Sequence, residues 1–362
     1  MLQQFAAQDR RKETRLAMDY IGIDLHKNSS QVCILTEEGE LIERRIKTDR
    51  ESFDRLFAER PSARILVEAS TESEWAARHF ESLGYEVIVA DPNFAPMYAT
   101  RDRRIKTDKR DARALCEACR LGAYRPAHRT SDRQRDVRAH LAVRETLVRT
   151  RSKYISLIGA LARREGCRIE AGPSPSFARR VAAAGLPAHT LAQIEPLLVM
   201  LASLNEQIKA ADKRLEEIVK ADEVVQRLCS VPGVGPVVAT TFAATLDDAS
   251  RFLGAKHVRS YLGLVPREYS SGERQRRGRI SKAGSASARS LMVEAAWSLL
   301  RWKTERTRAL HEWWARIAQR RGKATAVVAL ARKLAGIMFA VWRDGTQFDP
   351  LLLRPGGRAE VT

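Results

Sequence analysis

The 362-residue sequence predicts an α/β domain followed by an all-α region, and three observations carry that expectation. Short β-rich runs alternate with amphipathic helical segments up to about residue 122. Longer helical periodicity takes over from about residue 130, and one of the later helices carries a heptad repeat. The expected divisions are a disordered leader over 1–18, an α/β domain over 19–125 and a helical coiled-coil region over 126–222. A mostly helical C-terminal domain over 223–350 and a tail over 351–362 complete the chain.

Element by element, Tyr20-Ile-Gly-Ile-Asp-Leu25 and Ser30-Gln-Val-Cys-Ile-Leu-Thr36 read as strands, and Glu37-Glu-Gly-Glu40 turns the chain into a third over 41–47. Asp49 is placed to N-cap a helix carrying Phe53, Leu56 and Phe57. Ala63-Arg-Ile-Leu-Val-Glu68 reads as a buried strand, 72–83 as a helix, 86–90 as a strand and 108–121 as a helix. The order βββ-α-β-α-β-α is a three-strand meander followed by α/β units. Beyond residue 130, Leu147, Tyr154, Ile158 and Leu161 mark one apolar stripe, and Gly172-Pro-Ser-Pro175 breaks the chain. Leu197, Leu201, Leu204, Ile208, Ala211, Leu215 and Ile218 then keep alternating spacings of four and three. That predicts a coiled-coil seam, formed either between two helices of one chain or between two chains. From about 224 the chain is expected to be mostly helical, with helices near 285–302, 306–319 and 323–342. Two loops interrupt it, Val231-Pro-Gly-Val-Gly-Pro236 and a Gly- and Arg-rich stretch around Ser271.

Composition narrows the function classes. Lys and Arg number 63 against 44 Asp and Glu, a net charge of +19 and a pI near 10.2. Such an excess suits a polyanionic partner, either nucleic acid or an acidic membrane surface. Hydrophobic residues make up 44% of the chain, which excludes a wholly disordered polymer. No uninterrupted apolar run approaches the roughly 18–20 residues of a membrane span. Residues 1–17 are polar and carry no apolar h-region, so no signal peptide is expected, and Met18 offers a second start. The five cysteines lack framework spacing and read as reduced thiols of a cytoplasmic protein. Cys116 and Cys119 form a CxxC pair with no second pair at zinc-finger spacing, and read as semi-buried helix positions.

The strongest chemical signal is four carboxylates at strand ends and on one helix face. Asp24 closes the first strand and Glu68 the fourth, which a βββαβα sheet makes neighbours. Asp108 and Asp111, three apart, share a helix face. Acids gathered this closely repel unless a cation neutralises them, and oxygen-only ligands suit Mg²⁺ or Mn²⁺ in phosphoryl transfer. Asp91, Asp102, Glu72 and Glu74 read instead as turn, ion-pair or helix-start residues. His26 and Lys27 follow Asp24, either as phosphate contacts or as plain loop surface.

Two further groups stand near the C-terminus. Gly233 and Gly235 sit in a glycine-rich turn between helices, a helix-hairpin-helix-like motif able to hold one phosphate through backbone N–H groups. Tyr261-Leu-Gly-Leu-Val-Pro266 leads into Ser271-Gly272 and the cations Arg274, Arg276, Arg277, Arg279 and Lys282. A serine among guanidiniums can attack a phosphodiester, although Ser-Gly is a common loop dipeptide and Arg clusters often only bind phosphate.

Taken in order, Gly22-Ile-Asp-Leu-His26, Val67-Glu68, Lys106-Thr-Asp-x-x-Asp-Ala112, Pro232-Gly-Val-Gly-Pro236, Tyr261-x-Gly-Leu-x-Pro266, Ser271-Gly272 and Ile280-Ser-Lys-x-Gly284 resemble the motifs of IS110 family transposases of bacterial insertion sequences. The resemblance covers about residues 19–349. It implies an N-terminal RuvC-like domain of RNase H fold, whose Asp-Glu-Asp-Asp site maps onto Asp24, Glu68, Asp108 and Asp111. It further implies a C-terminal transposase domain whose serine, here Ser271, attacks DNA to form a phosphoserine intermediate. The family's serine commonly follows glutamine, whereas Ser270 precedes Ser271 here; Ser271 is favoured because it directly precedes glycine. Implied partners are double-stranded donor and target DNA and a structured noncoding guide RNA encoded by the element. A homo-oligomer (dimer or tetramer) with composite active sites is implied too, in the bacterial cytoplasm at the nucleoid. Arg276, Arg277, Arg279 and Lys282 are the expected phosphate contacts. The rival readings are a RuvC-like nuclease or junction resolvase using water, a related DNA invertase, and a nucleic-acid-binding protein without turnover.

Overall fold

The computed structural model describes residues 18–58, 60–99, 107–268 and 277–353. The chain divides into two compact units, Met1–Arg129 and Thr130–Thr362.

The first unit is built on strands β1 (Asp19–Leu25), β2 (Ser29–Leu35), β3 (Leu41–Lys47), β4 (Ala63–Glu68) and β5 (Glu86–Ala90). They form one sheet in the order β3-β2-β1-β4-β5. The meander is antiparallel, while β1–β4 and β4–β5 are parallel. Helices α1 (Arg50–Phe57), α2 (Ser73–Ser82) and α3 (Asp108–Leu121) complete the unit. The expected N-cap of α1 forms, with the Asp49 carboxylate accepting from the Ser52 N–H at 2.8 Å.

Strand alternation decides what each face of the sheet meets. Ile21, Ile23, Ile65 and Val67 point to one face and pack with Phe53 and Phe57 of α1 and Ala76 and Phe80 of α2. The intervening residues point to the other face, where Leu66 meets Leu115 and Cys119 of α3 and Cys33 meets Ala112 and Cys116. Gly22 faces α3 at its closest approach. A Cβ there would stand 2.2 Å from the Cys116 nitrogen and 2.3 Å from the Ala112 carbonyl oxygen. Both are backbone atoms, so only glycine lets the helix axis come this near the strand.

The second unit opens with α4 (Asp132–Arg164), α5 (Phe177–Ala182) and α6 (Ala188–Lys220). Arg151 donates to Asn205 at 3.2 Å, and Arg144 pairs with Asp212, so numbers rise on α4 as they fall on α6. The pair is antiparallel. The heptad residues Leu201, Leu204, Ile208 and Leu215 are buried, and of the two readings of the seam the structure forms the one within the chain. Helices α7 (Glu223–Leu228), α8 (Pro236–Leu246), α9 (Ala255–Tyr261), α10 (Ala286–Arg301), α11 (Arg308–Arg321) and α12 (Lys323–Arg343) follow. Leu330, Leu334, Met338 and Phe339 of α12 lie at the centre of their core with Phe242, Met292 and Leu299. By length and mean composition α12 could cross a membrane; Arg332 and Lys333 interrupt it, and its apolar face is already packed.

The stretch around Ser271, expected as loop throughout, contains a two-stranded antiparallel sheet, β6 (Pro266–Glu268) with β7 (Arg277–Ile280). Strands of three and four residues are too short for alternation to reveal.

The Gly22 contact yields a direct expectation. Gly22→Ala should destabilise the first unit by about 3 kcal/mol, because neither backbone neighbour can yield without moving α3. Urea unfolding followed by far-UV circular dichroism checks this, and a cost below about 1 kcal/mol would show that the helix slides freely.

Candidate active site

Parallel pairing of β1 and β4 runs in register to Ile23 and Val67. Asp24 and Glu68 are the next residue on each strand, so both leave the sheet at the same end and on the face covered by α3. Thr107 caps α3, its hydroxyl accepting from the Arg110 N–H at 3.3 Å, and Asp108 and Asp111 occupy the first turn. Negative charge is favoured there by the helix dipole.

His26 stands between the acids. Its Nε2 is 3.2 Å from Asp24 Oδ2 and 3.4 Å from Asp108 Oδ1. One donor atom from each of Asp24, His26 and Asp108 can be chosen so that all lie within 4.8 Å of one another. Burial pushes the Asp24 carboxyl above its ordinary value; His26 pulls it back, while Asp111, Asp108 and Glu68 push in the same direction as burial. The four predicted acids therefore share one electrostatic neighbourhood, although only Asp24 and Asp108 belong to the tight group. Asp111 is buried, and Glu68 Oε2 accepts a hydrogen bond from the Tyr98 hydroxyl.

This donor set fits a hard divalent cation. Ligands on opposite sides of a Mg²⁺ ion stand about 4.2 Å apart, within small side-chain adjustments of the observed spread. Asp24 and Asp108 stand in the tight group that could hold it, and Glu68 and Asp111 belong to the same electrostatic neighbourhood. The sequence leaves His26 open between phosphate contact and loop surface and gives no sign of Tyr98. The signal for His26 was its spacing of two from Asp24, which returns it to the same side of an extended chain. Tyr98 lies in a single 3₁₀ turn, Ala95–Tyr98, which leaves no periodic trace.

The acids set aside have structural partners. Asp91 accepts from the Asn93 backbone N–H at 2.9 Å and pairs with Arg125. Glu72 accepts from the Trp75 indole at 2.6 Å, and Glu74 pairs with Arg78 and Arg129. Lys27 is exposed, and Asp102 lies outside the described residues. The CxxC thiols face the sheet backbone: Cys116 donates to the Tyr20 carbonyl at 3.1 Å and Cys119 to that of Arg64 at 3.4 Å. The hydrogen bond with Cys33, and burial after it, lift the Cys116 thiol; burial lifts that of Cys119 to about 12, and all five cysteines are free.

In the second unit the two motifs flanking the serine form one lock. Ser281 N–H donates to the Val265 carbonyl at 2.8 Å and Lys282 N–H to that of Gly263 at 3.1 Å. Gly263 (φ 67°) has no room for a Cβ, which would meet the Ala283 oxygen at 2.2 Å; at Gly284 (φ 65°) one would meet the Tyr261 oxygen at 2.1 Å. The Arg289 guanidinium donates to the carbonyls of both Leu262 and Ala283, at 3.1 and 2.6 Å. The lock ties together the chain entering β6 and the chain leaving β7. Ser270, Ser271, Gly272, Arg274 and Arg276 lie outside the described residues. Arg277 opens β7, while Arg279 and Lys282 are exposed.

The glycine turn splits in role. Gly233, at φ 82°, packs on α10, where a Cβ would meet the Ala295 oxygen at 2.5 Å. Gly235 is exposed at the N-cap of α8, with open space above it.

Comparison with known proteins agrees with both halves of this description. A family model described as a transposase, the DEDD type of IS110, matches residues 21–163, and that of the IS116/IS110/IS902 transposase family matches residues 225–312. A probable family 20 transposase of Pseudomonas aeruginosa is 31% identical over 91% of this chain and 98% of its own length. The transposase for insertion sequence element IS1328 of Yersinia enterocolitica is 30% identical over 91% and 98%. That for IS1111A of Coxiella burnetii is 29% identical over 92% of each chain. The α/β unit with its acidic cluster and the helical unit after it are those of a DNA transposase, an enzyme implying a divalent metal cation. The chain belongs to the IS110 family of insertion-sequence transposases.

The repulsion at Asp24 has a measurable consequence. Because its folded-state carboxyl is raised, ionisation works against folding, and that penalty disappears once Asp24 is protonated at low pH. Asp24→Asn should therefore raise the Tm of metal-free protein at pH 7, with the gain fading as pH falls toward the ordinary carboxylate range. Differential scanning calorimetry in EDTA across that range reads the effect. A lower Tm at pH 7 would show that His26 outweighs the combined push of burial and the other acids.

Proposed function

We propose that the chain cuts and rejoins DNA through a phosphoserine intermediate formed by Ser271, with Asp24, Glu68, Asp108 and Asp111 serving as a Mg²⁺ site in a RuvC-like domain of RNase H fold. One observation carries the metal half of this reading. Two parallel neighbouring strands and one helix deliver four carboxylates to one end of a β3-β2-β1-β4-β5 sheet. The lock on either side of the serine segment supports the other half, since both flanking strands are anchored to the same helical body.

In the proposed step the Ser271 oxygen attacks phosphorus. A P–O bond to serine forms as the P–O bond to one deoxyribose oxygen breaks; the serine proton is lost and the departing oxygen gains one. Ligation reverses this with a different sugar hydroxyl, so no ATP is consumed. Bound Mg²⁺ supplies charge stabilisation to the attacking and leaving oxygens. The acids hold the ion, His26 orients Asp24 and Asp108, and Arg276, Arg277, Arg279, Lys282 and the Gly233–Gly235 turn contact phosphates. Donor and target duplexes would be selected by a guide RNA, with the chain working as a homo-oligomer, dimer or tetramer; the net charge of +19 suits both nucleic acids.

The test is a covalent adduct. Purified protein, Mg²⁺, RNA transcribed from the element and labelled DNA carrying the element ends should give a protein–DNA band on a denaturing gel. Ser271→Ala should remove that band while Ser270→Ala keeps it, and Asp24→Asn or Glu68→Gln should slow its formation by about 10²–10³-fold or more. DNA cutting that persists in Ser271→Ala without an adduct would replace this reading with a water-using nuclease.

A further inference from the structure

Outside both sites, four cations meet on three helices of the second unit. They are Arg259 on α9, Arg316 on α11, and Arg332 and Lys333 on α12. Arg259, Arg332 and Lys333 are half-buried. The Arg259 guanidinium lies flat on α12 at Gly336, where a Cβ would come within 2.2 Å of its Nη2 and 2.8 Å of its Nε. The glycine thus makes the space that the guanidinium fills. Arg259 Nε is buried with no hydrogen-bond partner. Lys333 Nζ stands 5.1 Å from the centre of the Trp313 ring. Among the described residues, no carboxylate pairs with any of the four side chains.

Charges in such a place are costly unless paired. The group pushes its own members toward neutrality: burial lowers Arg259, and Arg332 adds to it; burial likewise lowers Lys333, with Arg259 and Arg316 adding to it. A protein selected only for stability would place a carboxylate or an apolar side chain here. The missing counter-charge is the property of a surface completed by an anion from outside the chain.

We propose that Arg259, Arg316, Arg332 and Lys333 form a clamp for the backbone phosphates of double-stranded DNA. The choice of duplex follows from Trp313. Unstacked bases of a single strand need a free aromatic face, and Lys333 already covers that ring. Three helices also hold the cations in a fixed body, which suits the regular spacing of duplex phosphates and reads no bases. The clamp rests on the chain being a transposase that must hold DNA, and is independent of whether Ser271 is the nucleophile.

Binding in EDTA, where no cutting occurs, tests the clamp separately from the chemistry. Full-length protein is titrated into a labelled duplex of arbitrary sequence between about 50 and 200 mM salt, and log Kobs is plotted against log salt concentration. Arg259→Gln and Lys333→Gln should each reduce the magnitude of the slope by roughly 0.9, and the double variant by about twice that. Arg168→Gln, an exposed change outside the cluster, should leave the slope within error. Tm should stay level or rise in the clamp variants, since a like-charge contact is removed. Should Arg259→Gln fail to fold, Lys333→Gln and the exposed Arg316→Gln carry the same measurement. An unchanged duplex slope overturns the clamp, as does an equal loss in Arg168→Gln, or a loss seen only with single-stranded RNA.

Discussion

The structure of the first unit depends on a contact with no side chain in it. At Gly22 the backbone of α3 lies directly against β1, with the Ala112 carbonyl and the Cys116 nitrogen where a Cβ would be. Packing at ordinary side-chain distance would lift the helix by the thickness of a methyl group or more. Two consequences follow from the shorter distance. Asp24, two residues along the same strand face, comes level with the first turn of α3, so His26 can touch Asp24 and Asp108 together. The Cys116 and Cys119 thiols are pressed close enough to donate to strand carbonyls.

Much of this arrangement was legible in the residues. Strands β3, β4 and β5 and helix α3 fall on their expected bounds because short β-rich runs and a helical stretch are bounded there by turn and loop residues. The neighbouring of Asp24 and Glu68 followed from strand order alone. What the residues could not announce depends on distances between elements. His26 gains its place from how near α3 stands, and Tyr98 from a 3₁₀ turn without pattern. Gly233 packs closely on α10, and a glycine needed for close approach has the same sequence signature as one needed for a ligand. The cation group on α9, α11 and α12 was equally hidden, because its members are separated by dozens of residues and meet only through tertiary packing.

The C-terminal motifs gain a common meaning from the fold. Tyr261-x-Gly-Leu-x-Pro266 and Ile280-Ser-Lys-x-Gly284 are separate in sequence but form one object, each supplying a glycine with positive φ whose missing Cβ admits the other's backbone. The β6–β7 pairing extends this lock toward the serine segment. The chain entering β6 and the chain leaving β7 are thus set by backbone contacts as well as by the Arg289 side chain.

The antiparallel pair of α4 and α6 has a mechanical meaning beyond burial. Each helix is 33 residues long, so the pair is a strut of about 50 Å. A strut of that length is a lever: a tilt of about 10° at its base would sweep the far end through roughly 9 Å. It is also a ruler graded in sevens. Adding or removing a whole heptad from both helices changes reach by about 10 Å and preserves the seam, whereas a change of two residues turns the apolar stripe away from its partner. A change in the length of this arm that keeps the seam is therefore confined to discrete steps, and reach can be altered without rebuilding either end.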